Sequence, residues 1–71
     1  MIECTSSEVP IDTVYIGWAY GSYIPSILER NIEILKDEDL KIYRVRTDNF
    51  RVVPGIGGKD YLYEYYREYV D

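Results

Sequence analysis

Residues 22–37 read SYIPSILERNIEILKD and have the spacing of an amphipathic helix. At about 100° per residue, the apolar side chains gather on one side of the helix and the charged ones on the other. The first group is Ile24, Ile27, Leu28, Ile32, Ile34 and Leu35, with Asn31 among them. Pro25 suits a first helical turn, and Ser26 followed by Glu29 has the spacing of a capping box. The stretch predicts a helix that buries one face, around which the other segments are arranged.

The segment before this helix has the composition of a β-strand. Residues 11–20, IDTVYIGWAY, are rich in β-branched and aromatic side chains and are largely apolar on both faces. That pattern is typical of a central strand. Residues 1–10 are expected to be an N-terminal tail or an edge strand, and residues 11–71 a single compact domain. The first ten residues have neither a basic region nor an apolar run, so no signal peptide is expected.

The segment after the helix predicts a hairpin. Residues 40–47 and 50–54 have strand composition, and Asp48-Asn49 between them tolerates the backbone of a tight turn. A two-residue turn there would place Arg46 opposite Arg51. Residues 54–58, PGIGG, are interpreted as a flexible connector, since Lys59 follows them without the spacing of a phosphate-binding loop.

The last stretch, residues 60–71, reads DYLYEYYREYVD and is predicted to be a second helix. On a helical wheel Glu64, Arg67 and Glu68 share a narrow arc, and tyrosines fill most of the remainder. Asp60 is a suitable N-cap. The predicted fold class is therefore α+β with the order β-α-β-β-α. About three strands form a single-layer sheet, the first two of them parallel, and one or both helices cover one face.

Composition excludes several classes of function. The 71 residues carry a formal net charge of −5, no histidine and one cysteine. Without histidine the usual general base and the commonest metal ligand are missing, so neither an enzyme nor a metal or cofactor site is expected. The lone Cys4 fits a reducing cytoplasm, or the host cytoplasm for a phage-encoded chain. No segment resembles a membrane span, and no membrane partner is expected.

A row of carboxylates is the first candidate for a binding surface. Glu29, Glu33 and Asp37 are spaced four residues apart, so successive members lie about 6 Å apart along a helix, roughly like consecutive backbone phosphates. Glu38 extends the row, and Glu64 with Glu68 repeats the spacing. The alternative is an ordinary solvated helix face, because Arg30 and Lys36 interrupt the row.

Tyrosine usage is the second candidate. Nine tyrosines in 71 residues exceed what a small core accommodates. Tyrosine is enriched in protein interfaces because it combines a large ring with a polar tip. Tyr61 and Tyr63 are predicted to face a partner, and Tyr65, Tyr66 and Tyr69 to pack in the core.

Arginines of the predicted hairpin form the third candidate. Arg44, Arg46 and Arg51 would share a face with Tyr43 or Trp18, a basic and aromatic patch of the kind that binds single-stranded nucleic acid. The alternative is neutralisation by the surrounding acidic residues, since the overall negative charge disfavours direct nucleic-acid binding.

These patterns favour a small acidic non-enzymatic binding protein that inhibits or modulates a macromolecule with a basic surface. A nucleic-acid enzyme is one such partner, and size and charge fit a phage or mobile-element inhibitor of a host enzyme or defence system, with an acidic surface that mimics nucleic acid. The predicted partner-binding residues are Glu29, Glu33, Asp37, Glu38, Tyr61, Tyr63, Glu64 and Glu68. Two alternatives are a homodimeric structural or regulatory subunit assembled through the tyrosine-rich C-terminal helix, and a nucleic-acid-binding module that uses Arg44, Arg46 and Arg51.

Overall fold

Four strands and one helix make up the described part of the computed structural model, which comprises residues 1–55 and 57–70. Their order is β1 (Ile2–Cys4), β2 (Thr13–Tyr20), α1 (Ser26–Asp37), β3 (Ile42–Val53) and β4 (Gly58–Glu68). The strands form one mixed sheet in the order β1-β3-β4-β2. Strand β4 is antiparallel to both of its neighbours, and β1 is parallel to β3.

The predicted order β-α-β-β-α with about three strands and one or two helices was wrong. The sheet has four strands, and the described residues contain a single helix. Residues Ile2–Cys4 supply the short edge strand β1. Strands β2 and β3 run parallel to each other on either side of β4, and the segment of β4 was not predicted to be a strand. The main error lay in the last segment.

Residues 60–71 were predicted to be a helix, but Gly58–Glu68 is the central strand β4, and Asp71 lies outside the described residues. Its backbone is hydrogen-bonded on both sides, to β3 and to β2. Tyrosine has a large apolar ring, so a run of tyrosines looks like the apolar side of a helix on a helical wheel. It also has a high strand propensity and a polar tip, so it is equally suited to either face of a strand. Hydrogen bonding along both edges of the segment makes it a strand. The local periodicity of the sequence contains no information about that pairing.

The hairpin turn was also misplaced. Asp48 and Asn49 lie within β3, at an irregularity between Arg46 and Phe50 where β3 has extra residues relative to β4. The chain turns instead after Val53, so the hairpin consists of β3 and β4, and the predicted pair Arg46 with Arg51 does not form. Arg51 lies opposite Asp60. The extra residues act as a bulge, which the turn-forming side chains Asp48 and Asn49 tolerate. Of the connector, Ile56 lies outside the described residues.

Helix α1 covers one face of the sheet and forms the core with it. Leu28 and Ile32 of the helix are buried together with three sheet residues, Ala19, Ile42 and Tyr65. The helix begins at Ser26 after Pro25, and no side chain caps its first turn, so the predicted capping box is not made. Its buried stripe is narrower than predicted: Ile27 is 77% exposed, and Asn31 also faces outwards.

A bulge in β2 lets the helix lie close to the sheet. The β2–β4 register shifts between Tyr15 and Gly17, and Gly17 has φ +145°, which side chains rarely allow. A Cβ atom there would lie 3.3 Å from Leu28 Cδ1. The backbone at Gly17 therefore favours glycine, and a side chain there would also require Leu28 to shift slightly.

Asp60 joins the loop before α1 to the β3–β4 hairpin. Its buried carboxylate accepts hydrogen bonds from the backbone N–H and the hydroxyl of Ser22, and one from Arg51 Nε at 3.0 Å. These bonds hold the pKa of Asp60 below its ordinary value; the Ser22 hydroxyl is the largest cause, and burial opposes it. In sequence this residue was interpreted as a helix N-cap. It instead connects two segments 38 residues apart.

No helix in residues 1–55 and 57–70 is long and apolar enough to cross a membrane.

Candidate binding surface

The face of the sheet opposite α1 carries a continuous set of aromatic side chains. Side chains alternate along a strand, and Tyr65 of β4 belongs to the core under α1, so Leu62, Glu64 and Tyr66 lie on the opposite face. Cross-strand pairing places residues of β2 and β3 beside them. We call this surface the aromatic face: Tyr15, Trp18, Tyr20, Tyr43, Val45, Leu62, Glu64 and Tyr66.

Three rows of paired residues build the aromatic face. In the first, Tyr66 lies between Tyr43 of β3 and Tyr15 of β2. In the second row Glu64 lies between Val45 and Trp18, and in the third Leu62 pairs with Tyr20. The rows follow directly from the register, so the sheet itself fixes which rings are neighbours.

The rings of this face contact one another and remain accessible. Tyr15 and Tyr66 meet edge to face with 5.6 Å between ring centroids, and Trp18 and Tyr20 do so at 5.9 Å. Such arrangements favour a fixed ring orientation. Even so, Trp18 is 53% exposed and Tyr15 48% exposed. Val45 of this face is buried and Tyr20 lies under the Arg51 guanidinium, but the rings of Tyr15 and Trp18 offer oriented aromatic area to solvent.

Glu64 gives this aromatic area a negative centre. Burial raises the pKa of Tyr15 and of Tyr66, and the nearby Glu64 carboxylate raises both further. Within residues 1–55 and 57–70 the ion pairs are Arg44 with Glu3 and Arg51 with Asp60, so no cation of that region pairs with Glu64. The carboxylate is available to a positive group from outside.

The helical carboxylates lie elsewhere. Glu29, Glu33 and Asp37 are exposed on α1, and Glu38 follows directly as the C-cap. None of the four forms an ion pair within the described residues. Because α1 covers the other side of the sheet, the structure does not bring this row together with Glu64 and Glu68. Glu68 is partly occupied already, since its Oε1 accepts a hydrogen bond from the Lys41 backbone at 2.9 Å.

Tyr61 and Tyr63 were predicted to face a partner from a C-terminal helix, but they lie on the α1 side of the sheet, where arginines cover them. The Arg44 guanidinium lies 3.6 Å from the centroid of Tyr63, and that of Arg46 lies 4.6 Å from Tyr61. Lys59 Nζ lies 4.6 Å from the centroid of Phe50 on the same side. We call these three cations and three rings the basic stack. It occupies the hairpin end of that side, beyond the buried core.

The predicted arginine patch is thus divided between two faces. Arg44 and Arg46 belong to the basic stack. Arg51 lies opposite Asp60, out of phase with Tyr61 and Tyr63, and its guanidinium is 4.1 Å from the centroid of Tyr20 on the aromatic face. The patch was drawn from a two-residue turn at Asp48-Asn49. Because β3 instead continues through these residues, with Arg46 and Phe50 on the same side, ordinary alternation places Arg51 on the other face.

The remaining tyrosine predictions had mixed outcomes. Tyr65 is fully buried, as predicted, whereas Tyr69 was predicted to be core and is 57% exposed. Tyr66 is half-buried on the aromatic face. The sequence reasoning missed that Tyr15, Trp18, Tyr43 and Tyr66 form one surface. The alternation of Leu62, Glu64 and Tyr66 was the available signal, and the helical interpretation of residues 60–71 concealed it.

Two other features do not define a ligand site. A depression of about 540 Å³ beside β1 is bordered by Arg44 and Arg46 but also by Glu3, Glu8 and Asp48, so its charge is mixed. In the described portion of the chain, no three histidine, cysteine, aspartate or glutamate side chains lie together in a way that could hold a metal ion.

Comparisons with protein-family models, with curated proteins and with solved structures found no match for this chain.

Proposed function

We propose that this chain is a small non-catalytic binding protein whose aromatic face docks a protein partner with a basic surface. The observation that carries the proposal is the sheet face opposite α1, where the rings of Tyr15, Trp18 and Tyr66 lie around Glu64, which has no ion pair within residues 1–55 and 57–70. A sheet face rich in apolar side chains normally packs on another layer. Tyrosine and tryptophan are also the residues that most often dominate binding energy in protein interfaces.

Charge favours a basic protein over a second copy of this chain. Two copies packed face to face around a two-fold axis would bring two Glu64 carboxylates into one apolar interface, and like charges there cost several kcal/mol, on the order of 2–5. The formal charge of −5 and the free carboxylates of α1 likewise attract cations and repel another copy. The partner therefore complements the face with positive charge and apolar area.

The small size of the chain favours a role as an inhibitor, which acts by occupying a surface of its partner. A 71-residue chain without a histidine supplies surface rather than chemistry. A nucleic-acid enzyme presents a basic surface, and an acidic protein of a phage or mobile element that occupies such a surface would act as an anti-defence inhibitor in the host cytoplasm. This assignment rests on charge and size, with the aromatic face as the contact.

Labelled peptides test the docking face directly. In one series arginine or lysine alternates with aliphatic residues, and in the matched series glutamate replaces each cation; binding is measured by fluorescence anisotropy. Trp18→Ser is expected to weaken binding of the basic series about 30-fold, the loss typical of an interface hot spot. Tyr23→Ser is the matched control, because Tyr23 is also an exposed aromatic residue but lies outside the aromatic face. It should change affinity less than about twofold.

Equal binding of basic and acidic peptides, or equal losses in the two variants, would contradict the proposal. Sedimentation in dilute solution adds an independent outcome: a tight dimer that Trp18→Ser dissociates would make a second copy the occupant of the face.

Changing Glu29, Glu33 and Asp37 together to Lys should slow association with the basic peptides in low salt, since these exposed carboxylates act at a distance. An unchanged rate would refute that steering role.

The basic stack supports nucleic-acid binding as a second candidate function. Arg46 and Lys59 alternate with the rings of Tyr61 and Phe50, which is the combination that single-stranded nucleic acid uses for backbone contact and base stacking. Changing both cations to Gln should then abolish binding to a fluorescent oligonucleotide in low salt, while Arg30→Gln with Lys36→Gln on α1, an equal change in charge, should not. Absence of oligonucleotide binding in low salt would eliminate this candidate.

A further inference from the structure

The second row of the aromatic face has the composition of a receptor for a cationic side chain. Glu64 and Trp18 are directly paired across β4 and β2, and Tyr66 and Leu62 flank Glu64 on the same face of its own strand. A carboxylate beside an indole offers a guanidinium two favourable contacts at once, a charge-assisted hydrogen bond and a cation–π contact. Both groups of this pair are supplied by neighbouring strands of one sheet.

Four aromatic rings of the chain already have a cation from the chain itself. Arg44, Arg46, Arg51 and Lys59 each lie 3.6–4.6 Å from the centroid of a tyrosine or phenylalanine ring. In residues 1–55 and 57–70 no such cation lies over Trp18, although tryptophan is the strongest cation–π acceptor. Glu64, its partner in the pair, has no ion pair there either.

We propose that Trp18 and Glu64 together receive one arginine side chain of the protein partner, with Tyr66 and Leu62 contacting its aliphatic part. The inference rests on the proposed function and assigns the chemical group that the aromatic face recognises. Arginine fits better than lysine because its planar guanidinium stacks on an indole while its N–H groups hydrogen-bond a carboxylate in the same plane. The pair accounts for specificity at the centre of the face, and the surrounding rings account for contact area.

A pair of peptides isolates the charge of this group. Acetyl-Leu-Arg-Leu amide and its citrulline counterpart have nearly the same size and shape, but only arginine is charged. Binding is followed by the fluorescence of Trp18, the single tryptophan of the chain, and by chemical-shift changes of the β4 amides. The unmodified chain should prefer the arginine peptide about tenfold and show Trp18 quenching, as expected for one charge-assisted contact.

Glu64→Gln keeps the shape of the side chain and removes its charge, so the preference should fall to less than about twofold. Glu33→Gln is the matched control, because it makes the same change in net charge on exposed α1 and should retain the full preference. Unfolding curves of both variants verify that the fold is intact.

The outcomes separate this inference from the proposed function. If both peptides bind equally at the aromatic face and Trp18→Ser abolishes both, the docking face stands and the arginine site is overturned. If Glu33→Gln reduces the preference as much as Glu64→Gln, overall charge and not this pair is responsible, which also overturns the site. If neither peptide perturbs Trp18 or β4 and the longer basic peptides do not bind, both proposals fail.

Discussion

The two faces of the sheet carry similar side chains but differ in how deeply those side chains are buried. On the α1 side, Tyr65 is fully buried against Leu28 and Ile32. On the aromatic face, Trp18 is half-exposed although it lies on the neighbouring strand and has a larger ring. Composition alone does not distinguish these positions. What distinguishes them is helix α1, which covers Tyr65 and the rest of the core on one face, whereas in residues 1–55 and 57–70 no element packs as a layer on the other face.

This difference separates stability from function. Burial of apolar area stabilises the fold in proportion to the area removed from water, so the α1 side supplies most of the folding free energy. The aromatic face retains its area in water and can release that free energy on binding. The comparison of the two faces therefore predicts opposite effects of mutations, a loss of stability under α1 and a loss of the proposed binding on the aromatic face.

The largest expected effect is that of Tyr65→Ala. Removing a fully buried ring from the only core of the described chain should cost about 3–5 kcal/mol of unfolding free energy, a large part of the total for a domain of this size. Trp18→Ala on the aromatic face should cost about 1 kcal/mol or less, because much of that ring is already in water. Urea unfolding followed by circular dichroism measures both.

Should Tyr65→Ala fail to fold, Tyr65→Leu keeps part of the buried volume and gives a measurable transition. The comparison of the two faces breaks down if Trp18→Ala destabilises the chain as much as either substitution of Tyr65. In that case the aromatic face would be part of the core, and its use as a docking surface would be lost.

Sequence alone predicted the segments whose periodicity is unambiguous. The region of α1 has an apolar stripe at helical spacing, and that of β2 has β-branched and aromatic residues without charge, so each pattern fits only one kind of element. The apolar stripe of α1 nevertheless predicted more buried residues than the structure has, because the small sheet covers only the middle of the stripe. Ile27 and Ile34 remain exposed for that reason.

Strand β4 could not be identified in this way. Tyr61, Tyr63, Tyr65 and Tyr66 are compatible with a helix and with a strand, and pairing with two other strands, which is non-local, decides between them. The prediction of a turn at Asp48-Asn49 was wrong for a related reason, because residues that favour turns also occur in bulges. Of the predicted site, the carboxylates of α1 are exposed as expected, whereas the aromatic face depended on the register of β4.

Acid should reveal how strongly Asp60 holds the loop before α1 to the β3–β4 hairpin. The folded pKa of this carboxyl is lowered from its ordinary value of 3.8, so its contribution is fully present above that value and is lost as the pH falls through the lower folded pKa. Asp60→Asn should lower Tm near neutral pH by on the order of 5 °C, because the contacts with Ser22 and Arg51 weaken. The difference from the unmodified chain should shrink below about pH 4.

Glu33→Gln provides the control for that experiment, since Glu33 is an exposed carboxylate without an ion pair in the described residues. It should follow the unmodified chain at every pH. A Tm difference for Asp60→Asn that stays constant from neutral to strongly acidic pH would mean that the carboxylate charge does not stabilise the fold, and that Asp60 acts through uncharged contacts.

The smallest expected effect concerns one oxygen atom under α1. The hydroxyl of Tyr65 is buried, and no group of residues 1–55 and 57–70 meets the geometry of a hydrogen bond with it, although the nearby Arg44 guanidinium acts to lower its pKa. Burial is also the main reason why the pKa of this phenol is raised. A buried polar group without a partner costs free energy, so Tyr65→Phe should leave Tm unchanged or raise it by about 1–4 °C.

Tyr66→Phe on the aromatic face tests the contrast, because its hydroxyl is reached by solvent or by Glu64 and its removal should not be stabilising. Destabilisation by Tyr65→Phe would reveal a partner for that hydroxyl, and the α1 side would then be held by a specific polar contact in addition to apolar packing.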